Sequence, residues 1–426
     1  APYVLPILKR DSLLNGLQLI VMEGREAGTV SARLRINSGA MFDLAGKGGL
    51  ADLTAGMLLR GGGGWTSKDL REHVSQSNIS VNIKVGWDST DITVSGPSYA
   101  LESIFDLLGR IVVTPSFDQK EFDAIKAERI EALKNEQSSE EFRLMSRAME
   151  AVFGAHPYGR PSRGTADSIS RITRADLLYF HSRFYLANNA ELMITGEAVP
   201  EEVTRYARTR LGAWKKGDKV PATFRPPDPL AARRVIILDR AESPTAQAVI
   251  AQVGVSRRGE DYFAAMILAE IFKSRIAKYA QSSGAVVEFH LEPRFLQGPS
   301  QVKISAPTRD LPKTIETVLA EMTRLQTSEA SPGEIEQGKS QLVAAQAERL
   351  QNPDAAVDVV LDIELYGLGR DYLVSFTDRV NAVTQADLLR AAQSNLKPQQ
   401  AAIVVSGPAS RFDSMLKSLG AVTVLP

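Results

Sequence analysis

At 426 residues the chain is longer than one hydrophobic core usually covers, which calls for two or more domains. Fifty basic residues balance fifty acidic ones, which argues against a general nucleic-acid or anionic-membrane binder, and no apolar run approaches the roughly 20 residues of a membrane span. The absence of cysteine removes disulfides, thiolate metal sites and cysteine nucleophiles together.

The numbering opens at Ala1 without methionine or targeting segment, a form expected of a signal-cleaved, exported or periplasmic chain and equally of a trimmed one, so the compartment is open. Residues 18–22 and 31–37 alternate like strands. Gly61 to Gly64 reads as the C-terminal turn of a preceding helix, because glycine tolerates left-handed geometry; the spacing of a phosphate loop is missing. Residues 66–69 cap the next helix. Residues 80–87 and 90–95 predict a hairpin, with Trp87 as a core or hinge residue. Helices follow at 122–135, with Ile125, Ile130 and Leu133 on an apolar stripe, and at 141–153, with Leu144, Met145, Ala148 and Val152 on one side.

Lys215, Lys216 and Lys219 with Pro221, Pro226, Pro227 and Pro229 predict an extended linker that leaves the halves free to move. Strands recur at 235–238 and 246–253, and a long charged helix at 331–351. The second half repeats the first: residues 383–389 resemble 172–178, each 211 positions after its counterpart, and the same step carries Gly196 onto Gly407. Thr173 and Thr384 are the expected N-caps. The fold class is therefore α+β, two tandem homologous α/β lobes, each a mostly antiparallel sheet packed with helices. The first lobe spans 1–215, the linker 216–232 and the second lobe 233–426.

Residues 48–61 (GGLADLTAGMLLRG) resemble the metal-motif helix of the pitrilysin/insulinase (inverzincin) zinc-peptidase family. Asn15-Gly16-Leu17, His156-Pro157-Tyr158-Gly159-Arg160-Pro161 and Tyr366-Gly367-Leu368-Gly369 resemble further family segments, so the likeness runs over nearly the whole chain. It implies the metallohydrolase fold of the processing-peptidase type. Active members carry H-x-x-E-H on this helix, two histidines binding zinc and a glutamate activating its water. The matching positions here are Asp52, Ala55 and Gly56, and Glu131 falls near the family's distant glutamate ligand, as a vestigial ligand or a solvated helix residue. The histidines His73, His156, His181 and His290 have no ligand spacing, and structural roles are expected for His156 and His181. Active members also hold the substrate carbonyl with an arginine and a tyrosine of the second lobe. Gln281 and Val287 or Phe289 fall near those positions, with Arg275 and Tyr279 nearby.

The resemblance thus implies no catalytic residue and no cofactor in this chain, with zinc in a homologous partner subunit that carries H-x-x-E-H. Extended or unfolded peptides are the expected ligands, held on the edge strand at Asn82, Ile83, Lys84 and Val85. The alternative is a stand-alone structural or peptide-binding protein, like the core subunits of respiratory complexes. A third reading, a hydrolase using Asp52 and Glu131 with another metal, is the weakest.

Overall fold

The computed structural model describes residues 7–23, 28–218 and 224–425; Lys219 and Pro221 of the expected linker lie outside them. The repeat read from the sequence marks the same turn of chain in each half. Thr173 and Thr384 each accept the N–H of an aspartate three residues on, and Asp176 and Asp387 return the bond to the threonine N–H at 2.8 and 2.9 Å. Two such capping boxes start two equivalent helices, each followed by an equivalent strand.

The first half holds strands β1 (Leu8–Ser12), β2 (Gln18–Glu23), β3 (Thr29–Ile36), β4 (Gly61–Gly62), β5 (Trp65–Thr66), β6 (Ser80–Val85), β7 (Thr90–Pro97) and β8 (Ala190–Gly196). Its helices are α1 (Leu50–Met57), α2 (Ser67–Gln76), α3 (Leu101–Leu108), α4 (Gln119–Gln137), α5 (Glu140–Phe153), α6 (Ala166–Ser170), α7 (Arg174–Phe184) and α8 (Pro200–Leu211). The second half holds β9 (Arg234–Asp239), β10 (Thr245–Val253), β11 (Val286–Leu291), β12 (Pro299–Pro307), β13 (Ala402–Gly407) and β14 (Ala421–Leu425). With them run α9 (Tyr262–Ser283), α10 (Leu311–Thr327), α11 (Pro332–Gln351), α12 (Pro353–Tyr366), α13 (Tyr372–Ala382), α14 (Gln385–Asn395) and α15 (Ala409–Leu416).

Six strands of each half form a mixed sheet, in the orders β1-β2-β8-β3-β7-β6 and β14-β9-β13-β10-β12-β11. Antiparallel pairs predominate; β2 with β8, β9 with β13 and β9 with β14 are parallel. The sheets match position for position except at one edge. There the first uses an antiparallel strand from the chain's beginning and the second a parallel strand from its end.

Both faces of each sheet are buried, and the period of two sorts the residues. Leu19 and Val21 of β2 and Leu192 and Ile194 of β8 join the core under the first lobe's own helices. Ile20, Met22 and Met193 point the other way, onto Ala356, Val357, Val360 and Leu361 of α12. The second lobe mirrors this. Ile250, Ile403 and Val405 face their own helices, while Val249, Ala251 and Val404 face Leu144, Ala148 and Val152 of α5. Each lobe therefore lends one helix to cover the other's sheet.

Charge edges both contacts: Glu140 and Glu141 at the start of α5 pair with Arg240 and Lys303, and α12 carries a longer row. Asp354, Asp358 and Asp362 stand one helical turn apart on α12 and meet Arg33 and Arg35 of β3. Arg35 also takes Asp91 in a fork at 2.7 and 2.9 Å. Asp88, buried after β6, accepts from Tyr158 Oη at 3.1 Å and from Tyr366 Oη (3.0 Å) and the Phe295 N–H (2.8 Å) of the second lobe. Burial pushes the Asp88 carboxyl upward, against these three donors and Arg294. In this structure the lobes are packed against each other rather than held apart by the linker. Residues 215 and 217 are themselves pinned, by Ala187 and Asn188, and the lobes share two buried seams.

The expected helix-terminal turn at Gly61 is instead a small hairpin. The helix closes in a short 3-10 turn at Leu58–Arg60, after which Gly61 and Gly62 pair with Thr66 and Trp65. Gly63 and Gly64 both have positive φ (57° and 82°), which a two-residue hairpin turn requires and a helix cap needs only once. Arg110 sits 3.6 Å over the Trp65 ring and donates to the Gly63 carbonyl.

Candidate functional site

Helix α1 starts without a capping side chain of its own. Asp43, fully buried, supplies one from outside, accepting the N–H groups of Gly49 and Ala51 at 2.7 Å each. Burial nevertheless pushes its carboxyl up to about 7, outweighing those donors and Arg160. The helix so fixed lies along edge strand β6 and under α4.

Asp52, Ala55 and Gly56 share the face of α1 that meets α4. Arg129 Nε stands 2.9 Å from Asp52 Oδ2, an ion pair in which neither atom makes a hydrogen bond. Burial raises the Asp52 carboxyl; Arg129 and Arg163 pull it back, and Glu136 adds to the rise. Ala55 is buried. A Cβ placed on Gly56 would meet Ile125 Cδ1 at 2.7 Å, so isoleucine fills the space a longer side chain would need. Glu131 is not part of this cluster: its side chain is 70% exposed and pairs with Lys134 one turn along. The α4 residues that reach α1 are Ile125 and Arg129. Sequence reasoning placed Ile125 on an apolar stripe but did not foresee that it plugs this face, and it missed Arg129, one turn further on.

Zinc does not fit these residues. It needs three or four nitrogen, sulfur or carboxylate donors converging on one point. This face offers one carboxylate already paired with a guanidinium, a methyl group and a glycine roofed by isoleucine. Among the described residues no group of three His, Cys, Asp or Glu is placed to hold a metal ion.

His73, His156 and His181 spend ring nitrogens on backbone, while His290 Nε2 lies 3.5 Å from Glu288. His181 Nε2 lies 3.0 Å from the Val112 carbonyl, and burial lowers its pKa to about 4. His156 bridges the Arg225 carbonyl and the Tyr158 N–H, and His73 contacts the Ser103 carbonyl. In the second lobe Gln281 is exposed and Phe289 is packed on Phe272. Arg275 is held by Glu321 and by both oxygens of Glu334, whose pKa it lowers to about 2.

Beside α1, β6 forms the outer edge of the first sheet and, among the described residues, pairs only with β7. Val81, Ile83 and Val85 turn toward the core, while Ser80, Asn82 and Lys84 are exposed. Its outer N–H and C=O groups have no neighbouring strand among the described residues, the condition for adding one. Past Val85 the chain enters a cleft between the lobes of about 340 Å³, floored by Trp87, Tyr158 and Arg294.

The comparisons agree with this architecture. The description "Insulinase (Peptidase family M16)" matches residues 19–166, and "Peptidase M16 inactive domain" matches residues 171–342. A probable mitochondrial-processing peptidase subunit beta of Schizosaccharomyces pombe is 22% identical over 96% of this chain and 93% of its own length. Cytochrome b-c1 complex subunit 1 of Saccharomyces cerevisiae is 22% identical over 63% of this chain and 58% of its own. An uncharacterized zinc protease of Rickettsia bellii is 22% identical, and the match spans about half of either chain (49% and 51%). Among solved structures, a peptidase M16 inactive domain from Pseudomonas fluorescens superposes with a TM-score of 0.83 at 21% identity, covering 94% of this chain and 98% of that one. No helix of the described residues is long and apolar enough to cross a membrane. With both lobes matched, the chain belongs to the M16 (insulinase) peptidase family, and carries its N-terminal domain together with its inactive C-terminal domain.

Proposed function

We propose that this chain is the zinc-free, non-catalytic subunit of a two-chain metalloendopeptidase, closing a peptide chamber together with an H-x-x-E-H homologue that holds the metal. The observation that carries this reading is the plugged face of α1. Arg129 neutralises Asp52 and Ile125 fills the space over Gly56, so the helix is packed as structure, while the adjoining edge strand stays open. Extended peptide would add to β6 along Asn82, Ile83, Lys84 and Val85, its backbone pairing with the free edge and every second side chain turned away. The likeness to a processing-peptidase subunit supports the two-chain arrangement.

The test is peptidase activity on an unstructured peptide, for this chain, for an H-x-x-E-H homologue from the same source, and for the mixture. Activity that appears or rises strongly only in the mixture supports the subunit reading. Zinc-dependent cleavage by this chain alone would overturn it. A second reading is a structural or peptide-binding protein without a protease partner, favoured by the likeness to a cytochrome b-c1 complex subunit. Peptide binding by this chain with no effect of mixing would select it.

A further inference from the structure

We propose that Asp88 is a positioning residue for the peptide edge: through it the second lobe holds the end of β6 in place. The inference rests on the peptide-binding reading above and gives the contact between the lobes a part in that binding.

Asp88 stands in the turn that joins β6 to β7, three residues past Val85. Its carboxylate is divided between the lobes atom by atom. Oδ1 accepts from Tyr158 Oη of the first lobe, while Oδ2 accepts from both second-lobe donors, the Phe295 N–H and Tyr366 Oη. Those two donors come from separate parts of the second lobe. Tyr366 is the last residue of α12, and Phe295 lies four residues past β11, the strand that ends the second sheet as β6 ends the first. The Phe295 segment is itself tied down, since the Arg294 carbonyl accepts the Arg257 N–H at 2.7 Å. An exposed turn would leave its carboxylate to water. This one is buried, and a buried carboxylate that loses a donor carries a large desolvation cost, so the turn sits where the second lobe places its donors.

On its other side the turn is packed backbone to backbone. The Gly86 N–H closes it on the Ser89 carbonyl at 2.8 Å, and the Gly86 and Trp87 carbonyls accept the N–H groups of Ala40 and Met41 at 2.9 and 3.0 Å. A Cβ on Gly39 would stand 2.4 Å from the Gly86 carbonyl oxygen, so the two segments have no slack between them. The same segment runs on to Asp43, which caps α1 from outside. One buried carboxylate therefore ties the alignment of the lobes to the edge strand and to the helix beside it. An edge already held in its final shape takes up a peptide with less ordering left to do, and binds it more tightly. An edge with a loose end loses that advantage.

The test uses the full chain and two readouts: amide hydrogen exchange without ligand, and fluorescence anisotropy with a labelled, unstructured peptide of about ten residues. Tyr366→Phe removes one donor of the second lobe and no atom of the first. It should speed exchange of the Ala40, Met41 and Gly86 amides about tenfold and weaken peptide binding about fivefold. Leu144→Ala, in the other seam between the lobes, is the control. It should leave both readings within about twofold of wild type, although it removes more buried packing. Asp88→Asn keeps the shape of the side chain but turns an N–H₂ group on the donors of one lobe. It should reproduce both effects, and it serves as the check if Tyr366→Phe does not fold. Equal weakening of peptide binding by Leu144→Ala and Tyr366→Phe overturns the inference, because general loss of stability would then account for both. So does unchanged exchange in Tyr366→Phe, or faster exchange with unchanged peptide affinity; in each of these cases the peptide-binding reading stands. If wild type binds no peptide, that reading falls and this inference with it.

Discussion

The two exchanged helices do the same topological work with different chemistry. Helix α5 covers the second sheet with Leu144, Ala148 and Val152 against Val249, Ala251 and Val404, an apolar seam whose ion pairs, Glu140 with Arg240 and Glu141 with Lys303, stand partly exposed at the helix's first turn. Helix α12 covers the first sheet with an apolar strip of its own, but edges it with Asp354, Asp358 and Asp362 against Arg33 and Arg35. An apolar seam accepts any registry that keeps its volume filled. Opposed charges at fixed helical spacing penalise a slipped one, since each shift leaves a buried ion alone. The difference suggests that α12 sets how the lobes are aligned and α5 supplies adhesion.

The largest expected effect comes from breaking the charged seam at its most buried member. Arg35 is only 4% exposed, and Arg35→Met strands Asp91 and Asp362, with an expected loss of about 3–5 kcal/mol in urea unfolding. Adding Asp362→Leu should recover part of that loss, because an apolar pair no longer carries an uncompensated charge; a double variant as weak as the single would contradict the account. The apolar seam should respond next. Leu144→Ala is expected to cost about 2–4 kcal/mol, with little change between low and high salt. At the solvent end of the charged seam, Asp354 is 83% exposed, and Asp354→Asn should cost about 0.5 kcal/mol or less and nothing in 1 M salt. Equal salt responses for Leu144→Ala and Asp354→Asn would erase the distinction between the seams.

A smaller effect concerns the support of α1. The folded-state pKa of Asp43, about 7, lies above the ordinary carboxyl value, so the folded protein holds a proton that the unfolded chain has released. Its contribution to stability is therefore greatest at low pH and is lost as pH rises from about 4 to about 7. The slope should reach about 1.4 kcal/mol per pH unit at most. Asp43→Asn should flatten that segment of the stability profile, measured as urea midpoint against pH relative to wild type.

The sequence carried the repeat because it is local: a threonine and an aspartate three apart cap a helix wherever it packs, and the strand after it shows its own period. It also carried the apolar stripe on α5, since spacing reveals that a face is buried. Spacing does not say against what, and the stripe's target proved to be the other lobe. The aspartate stripe on α12 went unread because charges one turn apart look like a solvated face until the opposing arginines are placed. At the candidate site, the losses at Asp52, Ala55 and Gly56 were visible as departures from a motif. Their replacements, Ile125 and Arg129, are remote in the chain and are brought there only by the crossing of α4 over α1. Trp87, expected as a core or hinge residue, packs against the buried cluster between the lobes and also borders the interlobe cleft.

The exchange of helices also bears on how the chain is made. Synthesis runs from the first lobe to the second, so Ile20, Met22 and Met193 are complete long before α12 exists to cover them. At typical elongation rates the interval between Gly196 and Tyr366 lasts on the order of ten to thirty seconds. During that time the nascent first sheet shows an apolar face to its surroundings, and a holding chaperone would have its longest opportunity there. The second sheet has no such wait, because α5 emerges before the strands it will cover.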